Sequence, residues 1–314
     1  SVYLAGGCAV LMTAGLLIAN EPILRMMNYS AEIMPEVKQY MGIIYAGLIV
    51  TAAYNSLAAF LRAIGDSKSP LYFLIISAVI NVALDVVFIV VFGMGVEGCA
   101  YATVIAQAIS ALLCFIYIVK KFPILHLTKS DRKISFQSFG RLLSLGIPMG
   151  LQFSITAIGT IIVQGAVNVY GETYMAGFSA AGKLQNMIMT VFVAFGATVA
   201  TYVGQNRGAG RMDRVKSGVR CTQVMILVWS VIAMAAVCFG GIYMTWLFID
   251  PSETEVVNVS VLYFRTVFWC YPFLGSIFLY RNTLQGMGYG LVPMLGGVFE
   301  LAARSAIVMA AAGR

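Results

Sequence analysis

The chain has 314 residues, 60% of them hydrophobic and only 11% charged. A soluble domain carries about 25% charged residues, so this composition excludes a soluble globular protein and defines an all-α polytopic membrane protein. The basic excess, 20 Lys and Arg against 13 Asp and Glu, would indicate nucleic acid in a soluble chain; here it is expected to reflect positive charge gathered in cytoplasmic loops, with no nucleic-acid partner.

Apolar segments fall at about 2–19, 41–61, 71–92, 99–119, 142–169, 174–203, 221–248, 259–285 and 291–312, which predicts nine transmembrane helices. No basic stretch precedes the first of them, so no signal peptide is expected. The second carries Asn55. The third is long enough to span a bilayer and contains Asn81 and Asp85, four apart and so on one helix face. A carboxylate inside such a segment is costly, and its presence there is a functional hypothesis by default. The turn GMGVEG at 93–98 is centred near Met94, with Asp85 and Thr103 equally far from it along the sequence. At about 1.5 Å per residue, an antiparallel pair would put both about 13 Å from the turn. Asn81, Asp85 and Thr103 are therefore expected to share one polar site near the midplane, with Asn55 and Gln107 as extensions. Desolvation would raise the Asp85 pKa toward the working range, allowing proton exchange. The same oxygens suit Na+.

The polar stretch 120–141 is the one long connection, with the only His, His126, inside it. It predicts residues 1–125 and 140–314 as two lobes joined by a cytoplasmic linker at 126–139. In the second lobe, Pro148 and Pro272 should kink their helices, and Gly146 with Gly150 fits a small-residue packing pattern. GFSAAGKL (Gly177–Leu184) nearly spells a phosphate-binding loop, but Leu184 stands where Ser or Thr should be and no strand precedes it. Lys183, Arg265 and Arg281 are intramembrane bases, each either beside a substrate path or snorkelling to an interface; the interface is expected for Arg281. Glu300 and Arg304, spaced i, i+4, should pair with each other and are also candidates for a cation or substrate path. The six cysteines show no metal spacing and read as apolar fillers. No catalytic constellation is present, so no enzyme activity and no cofactor are expected.

Connections at 62–68, 120–141 and 207–220 are rich in Lys and Arg, and alternate with connections holding Glu21, Glu97, Glu172, Asp250 and Glu253. This places the basic loops in the cytoplasm of a multi-pass plasma (inner) membrane protein. A shift of 223 aligns Leu61 with Leu284, Gly65 with Gly288, Pro70 with Pro293 and Tyr40 with Tyr263, an internal repeat of the kind transporters carry. Extended outward, it implies about nine of twelve helices present: 3–6 of a first six-helix bundle and 7–11 of a second.

LRAIGDSKSP followed by NVALD, then VEGCAYATVIAQ, and later VGQNRGAGRMDRVKSG resemble the multidrug and toxic compound extrusion (MATE) family, closest to its bacterial DinF-like type. The resemblance implies two lobes rocking about a central cavity and export of amphipathic, often cationic compounds in exchange for H+ or Na+. It implies a cation site at Asp85, Asn81 and Thr103, completed by an acid on a first helix that this chain does not include. Other members use carboxylates in the second lobe; the matching helices here offer Gln152, Gln164 and Tyr271. A monomer in the lipid bilayer is expected. The alternatives are a flippase of lipid-linked precursors, kept open by Lys183, Arg265 and Arg304, and a non-transporting membrane scaffold.

Overall fold

A computed structural model describes residues 2–26, 33–122 and 136–312. Among the described residues there is no strand, and nine helical spans are long and apolar enough to cross a membrane. The chain divides into two compact units, Ser1–Phe139 and Gly140–Arg314. His126 and most of the expected linker lie outside the described residues, and positions 136–139 form the first turn of a helix rather than linker.

The first unit holds α1 (Val2–Met26), α2 (Met34–Ala63), α3 (Lys68–Val86) and α4 (Gly95–Lys121), with a π-helical segment Val87–Val91 extending α3. α2 packs between α1 and α4, and α3 leans on α4. The core between α2 and α4 is Tyr54, Ala58, Leu61, Cys114 and Ile118. α3 buries little of itself: Val79, Val82 and Val90 are each more than 60% exposed. An exposed apolar surface of this kind needs a lipid environment.

The α3–α4 seam has a register that the sequence does not predict. Ser110 donates to the Phe73 carbonyl (3.1 Å), Ser77 to the Ala106 carbonyl (2.6 Å) and Asn81 Nδ2 to Thr103 Oγ1 (3.5 Å). Thr103 therefore faces Asn81, not Asp85. Asp85 sits one turn, about 6 Å, nearer the connecting turn. Two features contribute: the chain reverses about Gly93 rather than Met94, since the extended α3 ends at Val91 and α4 begins at Gly95, and the π segment shortens the rise before the turn. Its bonds Val87 to Phe92 and Phe88 to Met94 span five and six residues, so residues are spent with less rise than in an α-helix. Val86, Val87, Ile89, Val90 and Val91 crowd the preceding turn with β-branched side chains, which loosens an α-helix.

The second unit holds α5 (Phe136–Asn168), α6 (Glu172–Gly208), α7 (Met212–Thr245), α8 (Thr254–Val267), α9 (Tyr271–Gly286) and α10 (Leu291–Ala312). α6 is central, packed on α7, α8 and α9. Its stripe Leu184, Ile188, Phe192, Val199 and Val203 meets Ile226, Val237, Phe264, Tyr271 and Leu279 in one core. Pro272 does break its span: a 3-10 turn at Phe268–Cys270 precedes α9, and the proline takes a first-turn position, where its missing N–H costs nothing. Pro148 lies within continuous α5. Gly146 and Gly150 have no atom near enough to pack against, so the expected small-residue contact does not form among the described residues.

The internal repeat is visible in hydrogen bonds. After α2, Gly65 adopts a φ of 91°, its N–H bonds the Arg62 carbonyl and the Asp66 N–H bonds the Leu61 carbonyl. After α9, Gly288 adopts 81°, with Gly288 to Gln285 and Tyr289 to Leu284. These are one helix-ending motif, with its glycine required by the left-handed backbone, repeated 223 residues apart. α3 and α10 then begin at equivalent positions, each with proline as its third residue.

Candidate functional site

In the first unit the structure brings Asn81 and Thr103 together across the α3–α4 seam, with Asp85 on the Asn81 face one turn away. Asp85 is half-buried, and its Oδ1 is buried without a hydrogen-bond partner. No ion pair reaches it among the described residues. A buried carboxylate oxygen left this way is unfavourable unless a proton or cation attends it. Carboxylate, amide carbonyl and hydroxyl oxygens on one seam are the donor set for H+ or a hard cation.

The two expected extensions are not part of this group. Gln107 lies one turn beyond Thr103, on the side away from Asp85, with its own Oε1 buried and unbonded. Asn55 is exposed on α2. The parallel helices α2 and α4 meet where Gly47 faces Val104, which puts Asn55 about 12 Å farther along.

The second unit gathers a different set. Glu300 on α10 accepts from Arg304 on its own helix (2.6 Å) and from Arg281 on α9 (2.9 Å). Arg281 therefore does not snorkel to an interface: its side chain is 15% exposed and turned to Glu300, because a carboxylate within reach satisfies it better than a distant headgroup layer. Nearby, Gln285 Nε2 donates to Gln152 Oε1 on α5 (3.1 Å). Gln164 bonds Asn168 on an exposed turn, and the Tyr271 hydroxyl is buried without a partner.

The other candidates stand apart. Lys183 reaches over the Phe248 ring, 5.5 Å from its centroid, in a cleft of about 340 Å³ that Asp250 and Glu253 also line. That is the acidic-loop end of α6. Arg265 is exposed on α8 with no ion pair among the described residues. GFSAAGKL is helical throughout, and the Gly177 carbonyl accepts from Ser260, while a Cβ at Gly177 would collide with Val259 and the Val256 carbonyl. It is a helix-packing surface.

One cluster escaped sequence reasoning. Asp66 accepts from the Ser69 N–H (3.0 Å), the Ser69 hydroxyl (2.7 Å) and the Tyr117 hydroxyl (3.0 Å), and Lys121 donates to Tyr117 (2.7 Å). Burial is the largest single influence on Asp66 and works to raise its pKa, but the Ser69 and Tyr117 bonds together hold it below the ordinary value. The signal was present: an acid three residues before Ser69, beside Pro70, marks a helix start.

A helical membrane chain with a repeated architecture and a few embedded acids, amides and guanidinium groups has the construction of a membrane transporter. The MatE family model matches residues 1–87 and 148–304, and the chain belongs to this family, the multidrug and toxic compound extrusion transporters. Among its relatives, the probable multidrug resistance protein YpnP of Bacillus subtilis (strain 168) is 30% identical over 91% of this chain. An FAD transporter of Shewanella oneidensis is 23% identical over 84% of it. The chain spans 64% of the first relative's length and 59% of the second's. The fold matches a solved MOP superfamily transporter from Pyrococcus furiosus, described as having a binding pocket of reversed polarity. That match has a TM-score of 0.90 at 19% identity over 98% of this chain and 70% of the other. It also matches an outward-facing multidrug resistance MATE transporter, TM-score 0.90 at 19% identity, over 95% and 67%.

Proposed function

We propose that the whole protein exports amphipathic small molecules by alternating access, driven by H+ or Na+ taken at Asp85 with Asn81 and Thr103. The observation that carries this reading is the Asp85 oxygen, buried in a membrane-spanning helix without a partner. One charge moved across 100 mV supplies about 2.3 kcal/mol, roughly a 50-fold gradient of a neutral substrate. The relatives named for multidrug resistance support the substrate class, and the relative named an FAD transporter extends it to a molecule bearing phosphates. The protein lies in the plasma membrane with its basic loops, including 120–141, on the cytoplasmic side, as the charge asymmetry directs. The test is dye efflux from proteoliposomes of the whole protein under an imposed pH or Na+ gradient. Asp85→Asn should insert normally and lose gradient-driven efflux. Undiminished efflux by that variant would refute the coupling scheme.

A further inference from the structure

The ion cluster of the second unit carries a charge that its own members do not cancel. Arg281 and Arg304 share the one carboxylate of Glu300, each occupying one of its oxygens. No other acid lies on α5, α9 or α10. The remaining acids of the unit, Glu172, Asp213, Asp250, Glu253 and Glu255, stand at helix starts or in connections. The cluster is therefore two cations against one anion.

Its position makes the surplus matter. Counting from the start of α10, Glu300 is about 14 Å and Arg304 about 20 Å along a helix that crosses a layer about 30 Å thick. Arg304 cannot easily reach a headgroup layer from there and bends back to Glu300. An uncompensated guanidinium at that depth is unfavourable against hydrocarbon. Yet the Arg304 side chain is 36% exposed and that of Glu300 29%. For a guanidinium on that open side, water or an anion is a better neighbour than lipid tails.

Glycines let the neighbouring backbone pack closely against both arginine side chains. Gly159 of α5 faces Arg304: a Cβ there would come within 3.2 Å of Cδ and 3.8 Å of Nη1. Gly297 similarly borders Arg281 Nη2, next to the Gln152 side chain. Each guanidinium has five N–H donors and spends one on Glu300 among the hydrogen bonds in this cluster. Planar forks with unspent donors match carboxylate and phosphate oxygens. The repeat adds an independent point. Subtracting 223 from 281, 300 and 304 gives 58, 77 and 81, so Arg281, Glu300 and Arg304 stand where the first unit has Ala58, Ser77 and Asn81. The seam that carries an acid in one unit carries net positive charge in the other.

We propose that the Arg281–Glu300–Arg304 cluster is an oxyanion-binding site that holds a carboxylate or phosphate group of the transported molecule. The proposal rests on the transport reading, but equilibrium binding needs no gradient, so failure of the Asp85 coupling and failure of this site are read separately. The experiment is fluorescence anisotropy of anionic carboxyfluorescein and cationic rhodamine 6G on the purified whole protein in phosphatidylcholine nanodiscs. Arg304→Gln should weaken carboxyfluorescein about tenfold, the worth of a charged hydrogen bond, and leave rhodamine 6G unchanged. Arg304→Lys should retain most of the affinity. Glu300→Gln, which removes the competing carboxylate, should tighten carboxyfluorescein. Repeating the titration with net-anionic phosphatidylglycerol in the disc separates the sources: no competition assigns the site to a soluble solute, and competition that depends on Arg304 would assign it to an anionic lipid and overturn its assignment to the transported molecule. Unchanged carboxyfluorescein affinity in Arg304→Gln, or equal losses of both dyes in all three variants, would overturn the proposal.

Discussion

Gly286→Ala tests whether the second unit's polar cluster depends on the close approach of α6 and α9. A Cβ at Gly286 would lie 2.5 Å from the Ala200 carbonyl oxygen and 3.1 Å from its Cα, where ordinary contacts begin at 3.4 Å. Both neighbours are backbone, so neither can swing aside. The helices must part by about 0.9 Å, the difference between 3.4 and 2.5 Å. A gap of that size forfeits about a quarter to a half of each contact's dispersion energy along the seam. Overpacking of this kind costs about 2–3 kcal/mol, offset by up to about 1 kcal/mol of helix propensity gained by alanine. The net loss is about 1–2 kcal/mol, a fall in Tm of about 2–8 °C by the scaling for a unit of this size. Gly182→Ala is the control: it lies inside α6 with no atom within 4 Å, so the same change should leave Tm unchanged or raise it. Thermal unfolding of the purified whole protein, read by tryptophan fluorescence, checks both. Equal Tm values for the two variants would refute the reasoning. Because α9 also carries Arg281 and Gln285, Gly286→Ala should weaken carboxyfluorescein binding as well.

Three further outcomes follow from the first unit and from the loops. The depressed Asp66 pKa means its contribution to stability is present above its unfolded pKa of about 3.9 and is lost as pH falls through the lower folded value. Wild-type Tm should therefore fall below about pH 4 by a step that Asp66→Asn lacks, and identical pH profiles would refute the link. Ser77→Ala removes the 2.6 Å bond to the Ala106 carbonyl and should cost about 1 kcal/mol, seen as a lowered Tm; no change would mean that the α3–α4 seam does not rely on it. With native cysteines replaced, Asp250→Cys should react with a membrane-impermeant maleimide in intact cells, and Lys216→Cys only after permeabilisation. The reverse pattern would invert the assigned orientation.

The nine spans were legible because their signal is long and additive: each is a run of apolar residues that no exposed loop would carry. The repeat was legible at Gly65 and Gly288 because a left-handed helix ending tolerates little else there, so the residue type survives where the surrounding sequence does not. The seam register was not. Equal residue counts either side of Met94 imply equal depths only if every residue rises alike, and the π segment Val87–Val91 breaks that assumption two residues past Asp85. Its crowded β-branched run is visible in the sequence, but many such runs stay α-helical. Arg281 failed for a different reason. Its partner lies 19 residues away on the next helix, and helical periodicity speaks only for i+3 and i+4 neighbours such as Arg304. Asn55 and Gln107 are polar residues inside spans, as Asn81 is, and only their depth on α2 and α4 separates them from the candidate site.

The repeat also explains how one architecture can present two polarities. Position 77 and its equivalent 300 each lie on the first transmembrane stretch after the shared helix-ending motif, and both point a polar side chain at a neighbouring helix: Ser77 to the Ala106 carbonyl, Glu300 to Arg281. A serine there needs only a carbonyl. A glutamate needs counter-charge, and Arg281 supplies it from the position where the first unit has the buried Ala58. With Glu300 thus neutralised, Arg304 at the equivalent of Asn81 contributes the surplus, whereas in the first unit the acid, Asp85, stands one turn away with no ion-pair partner among the described residues. On the proposed reading, the first unit offers a carboxylate to H+ or Na+ and the second offers a guanidinium to an anion. An exporter with both would draw its driving ion and its cargo to different lobes, so neutralising Asp85 should abolish coupling without touching anion affinity. Arg304→Gln should do the converse. A double variant whose losses in binding and in gradient coupling are not the sum of the single effects would show the two sites to be energetically coupled and refute their independence.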